Sequence, residues 1–185
     1  GNTYSESEGS TQCLICPEGY GVNYHHTYCT ICPIGTYSNE QTNGHCSGCG
    51  NGAISTSEGS TECIQCNVGE GTNKEGNQCI KCSKGYYSSS KGLGCFKCPK
   101  NTYSSIEGSL ECIPCSQGTE SKQGLSECTE CSLGYYSPTE GSGCIKCDSG
   151  SIANQTRMTE CIKCPQGYGA NSRRINCLMC PQGSY

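Results

Sequence analysis

Apolar side chains are thinly and regularly scattered along this chain. They occur in stretches of two or three residues, and no segment repeats them at the 3.6-residue spacing of an amphipathic helix. Gly and Pro recur every few residues, which excludes helices of useful length. The apolar positions instead fall at two recurring places. One lies between paired cysteines, at Leu14-Ile15, Ile64, Ile80, Phe96, Ile113, Ile145, Ile162 and Leu178-Met179; the other lies five residues past each pair, at Tyr37, Ile54, Tyr87, Tyr103, Tyr136, Ile152 and Tyr185. This pattern predicts short extended segments, isolated two-residue ladders and turns, with each cysteine knuckle a small apolar node.

The cysteines set the repeat. All 22 fall in eleven Cys-x-x-Cys pairs spaced 16 or 17 residues apart. Three residues after each pair stands Gly19, Gly35, Gly52, Gly69, Gly85, Gly118, Gly134, Gly150, Gly167 or Gly183, with Asn101 as the one exception. Gly replaced only by Asn marks a positive-φ backbone position, so every repeat is expected to turn there. Two residues further on, two apolar loops alternate with one that carries Gly21, Gly71, Glu120 or Gly169. A three-loop superrepeat of 49 residues follows, with Cys49, Cys98 and Cys147 at equivalent places, and divides the chain into 1–49, 50–98, 99–147 and a partial fourth copy, 148–185. The first loop of a copy carries a near-identical string, from Tyr4 to Ser10, Ile54 to Ser60 and Tyr103 to Ser109, which becomes Ile152 to Met158 in the fourth.

Composition explains why the cysteines are needed. Ile, Val, Leu and Phe supply only 21 of 185 residues, too little apolar surface to offset the entropy of ordering the chain. Cross-links or metals must hold it together. A net charge of −4 leaves no basic face for phosphates, so nucleic acid is not an expected partner. No stretch is long and apolar enough to span a bilayer or to serve as a signal-peptide core, and with no initiator Met the chain reads as a piece of a longer, processed protein.

Paired Cys-x-x-Cys motifs suit either disulfides or tetrahedral zinc. Eleven pairs do not divide into sets of two, and the Ser/Thr/Gly/Asn-rich loops have a secreted character, which favours disulfides; a zinc array stays as an alternative. Connectivity is not readable from spacing, but identical repeats favour one local rule. The first choice joins the second cysteine of a pair to the first of the next: Cys16–Cys29, Cys32–Cys46, Cys49–Cys63, Cys66–Cys79, Cys82–Cys95, Cys98–Cys112, Cys115–Cys128, Cys131–Cys144, Cys147–Cys161 and Cys164–Cys177. Each bridge would close about 14 residues, worth roughly 3 kcal/mol in the chain-entropy model. Cys13 and Cys180 are then left to bond outside the segment. The rival rule, first to first and second to second, leaves one whole pair over.

The string Cys32-Pro33-Ile34-Gly35-Thr36-Tyr37-Ser38 resembles the cysteine-rich repeats of ephrin-receptor-like and growth-factor-receptor-like extracellular modules. It is also similar to the simplest single-bridge module of tumour necrosis factor receptors, whose Cys-x-x-Gly-x-Tyr loop implies the second-to-first pairing. Tandem arrays of this kind occur in surface proteins of ciliates, including immobilisation antigens, and of other protists. The resemblance spans essentially the whole chain and implies an extracellular or cell-surface protein.

Little in the sequence points to chemistry. Asp148 is the single Asp, and His25, His26 and His45 are the only histidines. These are too few to build a catalytic site or a calcium loop, so neither enzymatic activity nor a cofactor or metal is expected. Glu62, Glu111, Glu127 and Glu160 read as exposed loop charges, the loop tyrosines as packing on adjacent bridges, and Lys81, Lys97, Lys146 and Lys163 as solubilising. Asn154-Gln155-Thr156 is the one Asn-x-Ser/Thr sequon, placing a glycan on Asn154 at a loop tip.

The expected fold is therefore a small disulfide-rich repeat protein: an elongated rod or superhelix of about 16-residue Cys-x-x-Cys loops, with short β segments and turns and no helices of note, each loop contacting mainly its neighbours. Such an array suits a structural part of an extracellular fibre, coat or surface antigen that self-associates or meets other surface proteins, with glycans as a further partner class. A receptor or adhesin stalk is the alternative; a binding site would break the repeat at one place, whereas a fibre would keep it uniform.

Overall fold

In the computed structural model, residues 3–5, 9 and 12–181 are described. Glu6, Ser7, Glu8 and Ser10 of the first loop string, and Gly183 and Tyr185, lie outside them. The chain divides into two compact units, Gly1–Cys82 with Ser88–Phe96, and Ser83–Tyr87 with Lys97–Tyr185. Among the described residues, twenty-two strands of two or three residues pair two by two into eleven sheets, and the one helical element is a single 3-10 turn, Glu40–Thr42. This is a small disulfide-rich repeat protein built of consecutive loops of about 16 residues.

One local rule builds each loop. A turn follows the second cysteine, closed by an i→i+3 bond such as Tyr20 N to Pro17 O (3.0 Å) or Tyr135 N to Ser132 O (3.1 Å). Its third residue has positive φ, as a type II turn requires: +78° at Gly19, +84° at Gly35, +85° at Gly134 and +64° at Asn101. The chain then runs out as one strand and returns through the next cysteine knuckle, as in Tyr103↔Ile113 and Tyr136↔Ile145. The carbonyl of the turn residue accepts the amide of the second cysteine of that knuckle, from Cys32 N to Gly19 O (2.9 Å) through to Cys180 N to Gly167 O (2.9 Å).

The positive-φ expectation needs correction at two of these glycines. Gly52 and Gly150 lie outside the positive-φ region. Asp148 O still accepts Ser151 N (3.4 Å), a closure that a type I turn makes without positive φ. At Gly52 the positive φ has moved to Gly50 (+80°), and glycine is required for another reason: a Cβ there would overlap the Gly92 carbonyl.

Loops stack through a second set of backbone bonds. The turn amide of one loop donates to a carbonyl of the next, as in Gly19 N to Ser38 O (2.8 Å), Gly35 N to Ser55 O (3.0 Å), Gly118 N to Ser137 O (3.0 Å) and Gly134 N to Ala153 O (2.7 Å). The contacts also reach beyond the neighbour. A Cβ on Gly19, Gly35, Gly118 or Gly134 would overlap the carbonyl of Gly59, Glu75, Arg157 or Arg173, each in the loop two further on. These four turns are thus pinned between a first and a second neighbour, a tighter arrangement than nearest-neighbour stacking, whereas Gly150 and Gly167 near the end of the array meet no such neighbour.

Sulfur and serine dominate the core, with Ile54, Ile152 and Ala153 as its buried aliphatic side chains. Cys32, Cys66, Cys82, Cys98, Cys115 and Cys131 are fully buried, and so are Ser38, Ser55, Ser88, Ser104, Ser121 and Ser137, the serines six residues past each pair. Their burial is satisfied internally, as at Ser104 Oγ to Ser109 Oγ (2.6 Å) and Ser121 Oγ to Thr102 O (2.7 Å). The apolar residues within the knuckles are not the core. Ile64, Ile113, Ile145 and Ile162 are about half exposed, because the bridges fill the interior and a loop of this size has no second layer to cover its outer face.

Candidate functional site

Twenty cysteines form ten disulfides with Cα–Cα distances of 5.4–5.9 Å, all joining the second cysteine of one pair to the first of the next. Their thiolates are not open to zinc, and among the described residues no group of three His, Cys, Asp or Glu side chains converges on a metal position. Cys13 and Cys180 are exposed and unbridged.

The titratable residues named from the sequence are dispersed. His26 sits at φ +58° with Nδ1 2.9 Å from Thr3 O, and the His25 ring stacks edge-on against Tyr24 at 5.3 Å. His45 is exposed, and Asp148 Oδ1 accepts the Gly150 amide (3.0 Å). Asn154 is exposed, and the Thr156 hydroxyl of its sequon donates to Glu130 Oε2 (3.0 Å).

Two surface features remain. The first is repetitive: at eight of the eleven knuckles the residue after the first cysteine is an exposed apolar side chain, Thr30, Ser47 and Thr129 being the exceptions. In the first unit these are Leu14, Ile64, Ile80 and Phe96, and in the second Ile113, Ile145, Ile162 and Leu178, each 44–58% exposed.

The second feature is singular, and it lies where the repeat breaks. In the loop closed by Cys115 and Cys128, Glu120 stands where other copies have glycine. A Cβ on Gly21 would sit 2.6 Å from Cys46 Sγ, and one on Gly71 2.7 Å from Cys95 Sγ, so the adjacent bridge there is pressed against the bare backbone. Glu120 carries a side chain at that place, and its Oε2 accepts the amide of the equivalent cysteine, Cys144 (3.3 Å). The neighbouring loop holds the other exception, Asn101, whose Oδ1 is buried with no hydrogen-bond partner. Beside these two loops is a cleft of about 480 Å³ walled by Tyr103, the cations Lys84 and Arg157, and the carboxylates Glu127 and Glu130.

Sequence reading registered Asn101 and Glu120 only as exceptions to two separate patterns. Neither side chain lines the cleft, whose walls come from loops distant in sequence. The buried serines were visible too, as a Ser six residues after most second cysteines, but no chemical argument required them inside.

Residues 85–123 and 118–156 match the family model described as tyrosine-protein kinase ephrin type A/B receptor-like, and together the matches cover less than half of the chain. No curated protein matches it. The matches and the ten bridges support a cysteine-rich repeat array with a structural or ectodomain role, and they suggest an extracellular or cell-surface location. Among the described residues no helix is long and apolar enough to cross a membrane.

Proposed function

We propose that this chain is a non-enzymatic structural component of an extracellular fibre, coat or cell-surface antigen, and that it associates laterally with further copies of itself. The observation that carries this reading is the exposed apolar residue that recurs on eight of the eleven hairpins, at Leu14, Ile64, Ile80 and Phe96 in one unit and Ile113, Ile145, Ile162 and Leu178 in the other. Covering the exposed half of one such side chain contributes about 1 kcal/mol, too little alone to offset the cost of association. Two copies share the same repeat spacing, so one contact in register brings the next into register, and weak contacts add as in a multivalent complex. A partner without that spacing gains no such addition.

Negative-stain microscopy of native material tests the reading: filaments or ordered sheets are expected, and monomeric particles at every concentration overturn it. Replacing Ile113, Ile145 and Ile162 together by Ser, all on the outer face, should abolish assembly while the ten-bridge peptide map stays unchanged. The alternative, a receptor or adhesin ectodomain, draws its support from the receptor-like family match.

A further inference from the structure

We propose that the cleft beside the Cys115–Cys128 loop is a binding site for a neutral saccharide. The first argument is its place. Lys84, Tyr103, Thr119 and Arg157 wall the cleft from four different loops of one unit, so it arises where loops stack and no single repeat contains it.

The second argument is the chemistry of the walls. Lys84 and Arg157 stand with Glu127 and Glu130, so two positive and two negative groups cancel and the cleft favours neither an anion nor a cation. It presents donors and acceptors of both kinds to a ligand that has both, as vicinal hydroxyls do. The Tyr103 ring supplies an apolar surface for one face of a pyranose. The cleft is also within the roughly 300–1,000 Å³ range of small-ligand sites.

A peptide fits these walls poorly. Aliphatic anchors, which carry most peptide affinity, are absent from the cleft, and Thr119–Glu120 is two residues long, too short an edge to add a strand. The saccharide can come from another molecule or from a glycan on Asn154, since Thr156 of that sequon bonds to Glu130 in the cleft wall.

The test is saturation-transfer NMR on secreted full chain and on its Asn154→Gln variant, with maltotriose, mannotriose and chitotriose as probes. At least one trisaccharide should bind with a Kd of about 0.1–5 mM. Binding by both proteins indicates an external ligand, whereas binding by Asn154→Gln alone indicates that the chain's own glycan fills the cleft. Either result supports the site. Tyr103→Ala and Glu127→Gln should each weaken binding about tenfold or more, and Glu58→Gln, in a loop outside the cleft, should not change it. If Tyr103→Ala loses amide protection at Cys115, the exposed pair Glu127→Gln and Lys84→Gln carries the test. No binding of any probe by either protein at about 10 mM overturns the proposal, as does binding that survives all the cleft substitutions. Failure here leaves the assembly reading standing, because microscopy decides that separately.

Discussion

The loops closed by Cys66–Cys79 and Cys115–Cys128 have the same length, a sequence separation of 13 between bridged cysteines, and the same place in the superrepeat. They are filled differently. In the first, Gly71 leaves room for the adjacent bridge, the strands Glu70–Thr72 and Cys79–Lys81 run three residues each, and Asn73 organises the tip through Asn77 N (3.0 Å) and Gln78 N (3.2 Å). In the second, Glu120 and Lys122 stand in place of Gly71 and Asn73, the strands shorten to Thr119–Glu120 and Thr129–Glu130, and a polar cleft lies alongside. Both keep the same closing bond, Cys82 N to Gly69 O and Cys131 N to Gly118 O, each 2.8 Å. The disulfide ladder and its backbone bonds therefore set the loop, and the residues between the cysteines are free to set the surface.

Removing the bridge should have the largest effect, and the same effect in both loops. Cys66→Ser with Cys79→Ser, or Cys115→Ser with Cys128→Ser, loses about 3 kcal/mol of loop closure. Hydrogen exchange at the Cys82 or Cys131 amide should accelerate roughly 100-fold. A clearly unequal response would break the claim that the scaffold is common to both. Next in size is Gly71→Ala, which forces a methyl against Cys95 Sγ and should cost about 1–3 kcal/mol. Glu120→Ala should cost under about 1 kcal/mol, because that backbone already carries a Cβ. Denaturant-dependent exchange at the Cys95 and Cys144 amides reads the two, and a Gly71→Ala chain as stable as the parent would remove the steric basis of the comparison.

Sequence reading reached the repeat, the eleven knuckles and the paired short strands, because covalent spacing and turn chemistry act within one loop. It did not reach what arises between loops. The press of Gly19 on Gly59 and of Gly118 on Arg157 depends on how successive loops stack, which no single repeat specifies. Burial of Ser38, Ser88 and Ser137 inverts the usual preference. It works because a hydroxyl finds partners in its own loop, as Ser137 Oγ does at Ser142 Oγ (2.9 Å). Once sulfur and serine fill the interior, Ile64 and Ile113 are left outside. For the cleft, Glu127 was assigned as an exposed loop charge, and it is exposed; the groups that give it a neighbourhood, Lys84 and Arg157, come from the distant Cys82–Cys95 and Cys147–Cys161 loops.

The smallest effects separate the loops at their tips and at Glu120. Asn73→Ala removes two backbone bonds and the Nδ2 contact to Asn77 Oδ1 (2.7 Å), and should cost about 1–2 kcal/mol, read as faster exchange at Asn77 and Gln78. Lys122→Ala, at the equivalent exposed position, should stay within about 0.5 kcal/mol. Glu120→Gln is the finest test. It keeps the side-chain volume and an oxygen for the Cys144 amide, but replaces a charged acceptor by a neutral one at a bond of 3.3 Å. If Glu120 serves to hold Cys144 in place of the close glycine contact, the substitution should weaken that amide's protection by about two- to fivefold, equivalent to about 0.5–1 kcal/mol, and leave Cys131 unchanged. If instead the Cβ alone serves at that place, Glu120→Gln and Glu120→Ala will protect Cys144 equally well. Glu120 then acts through bulk, and the bond to Cys144 is incidental.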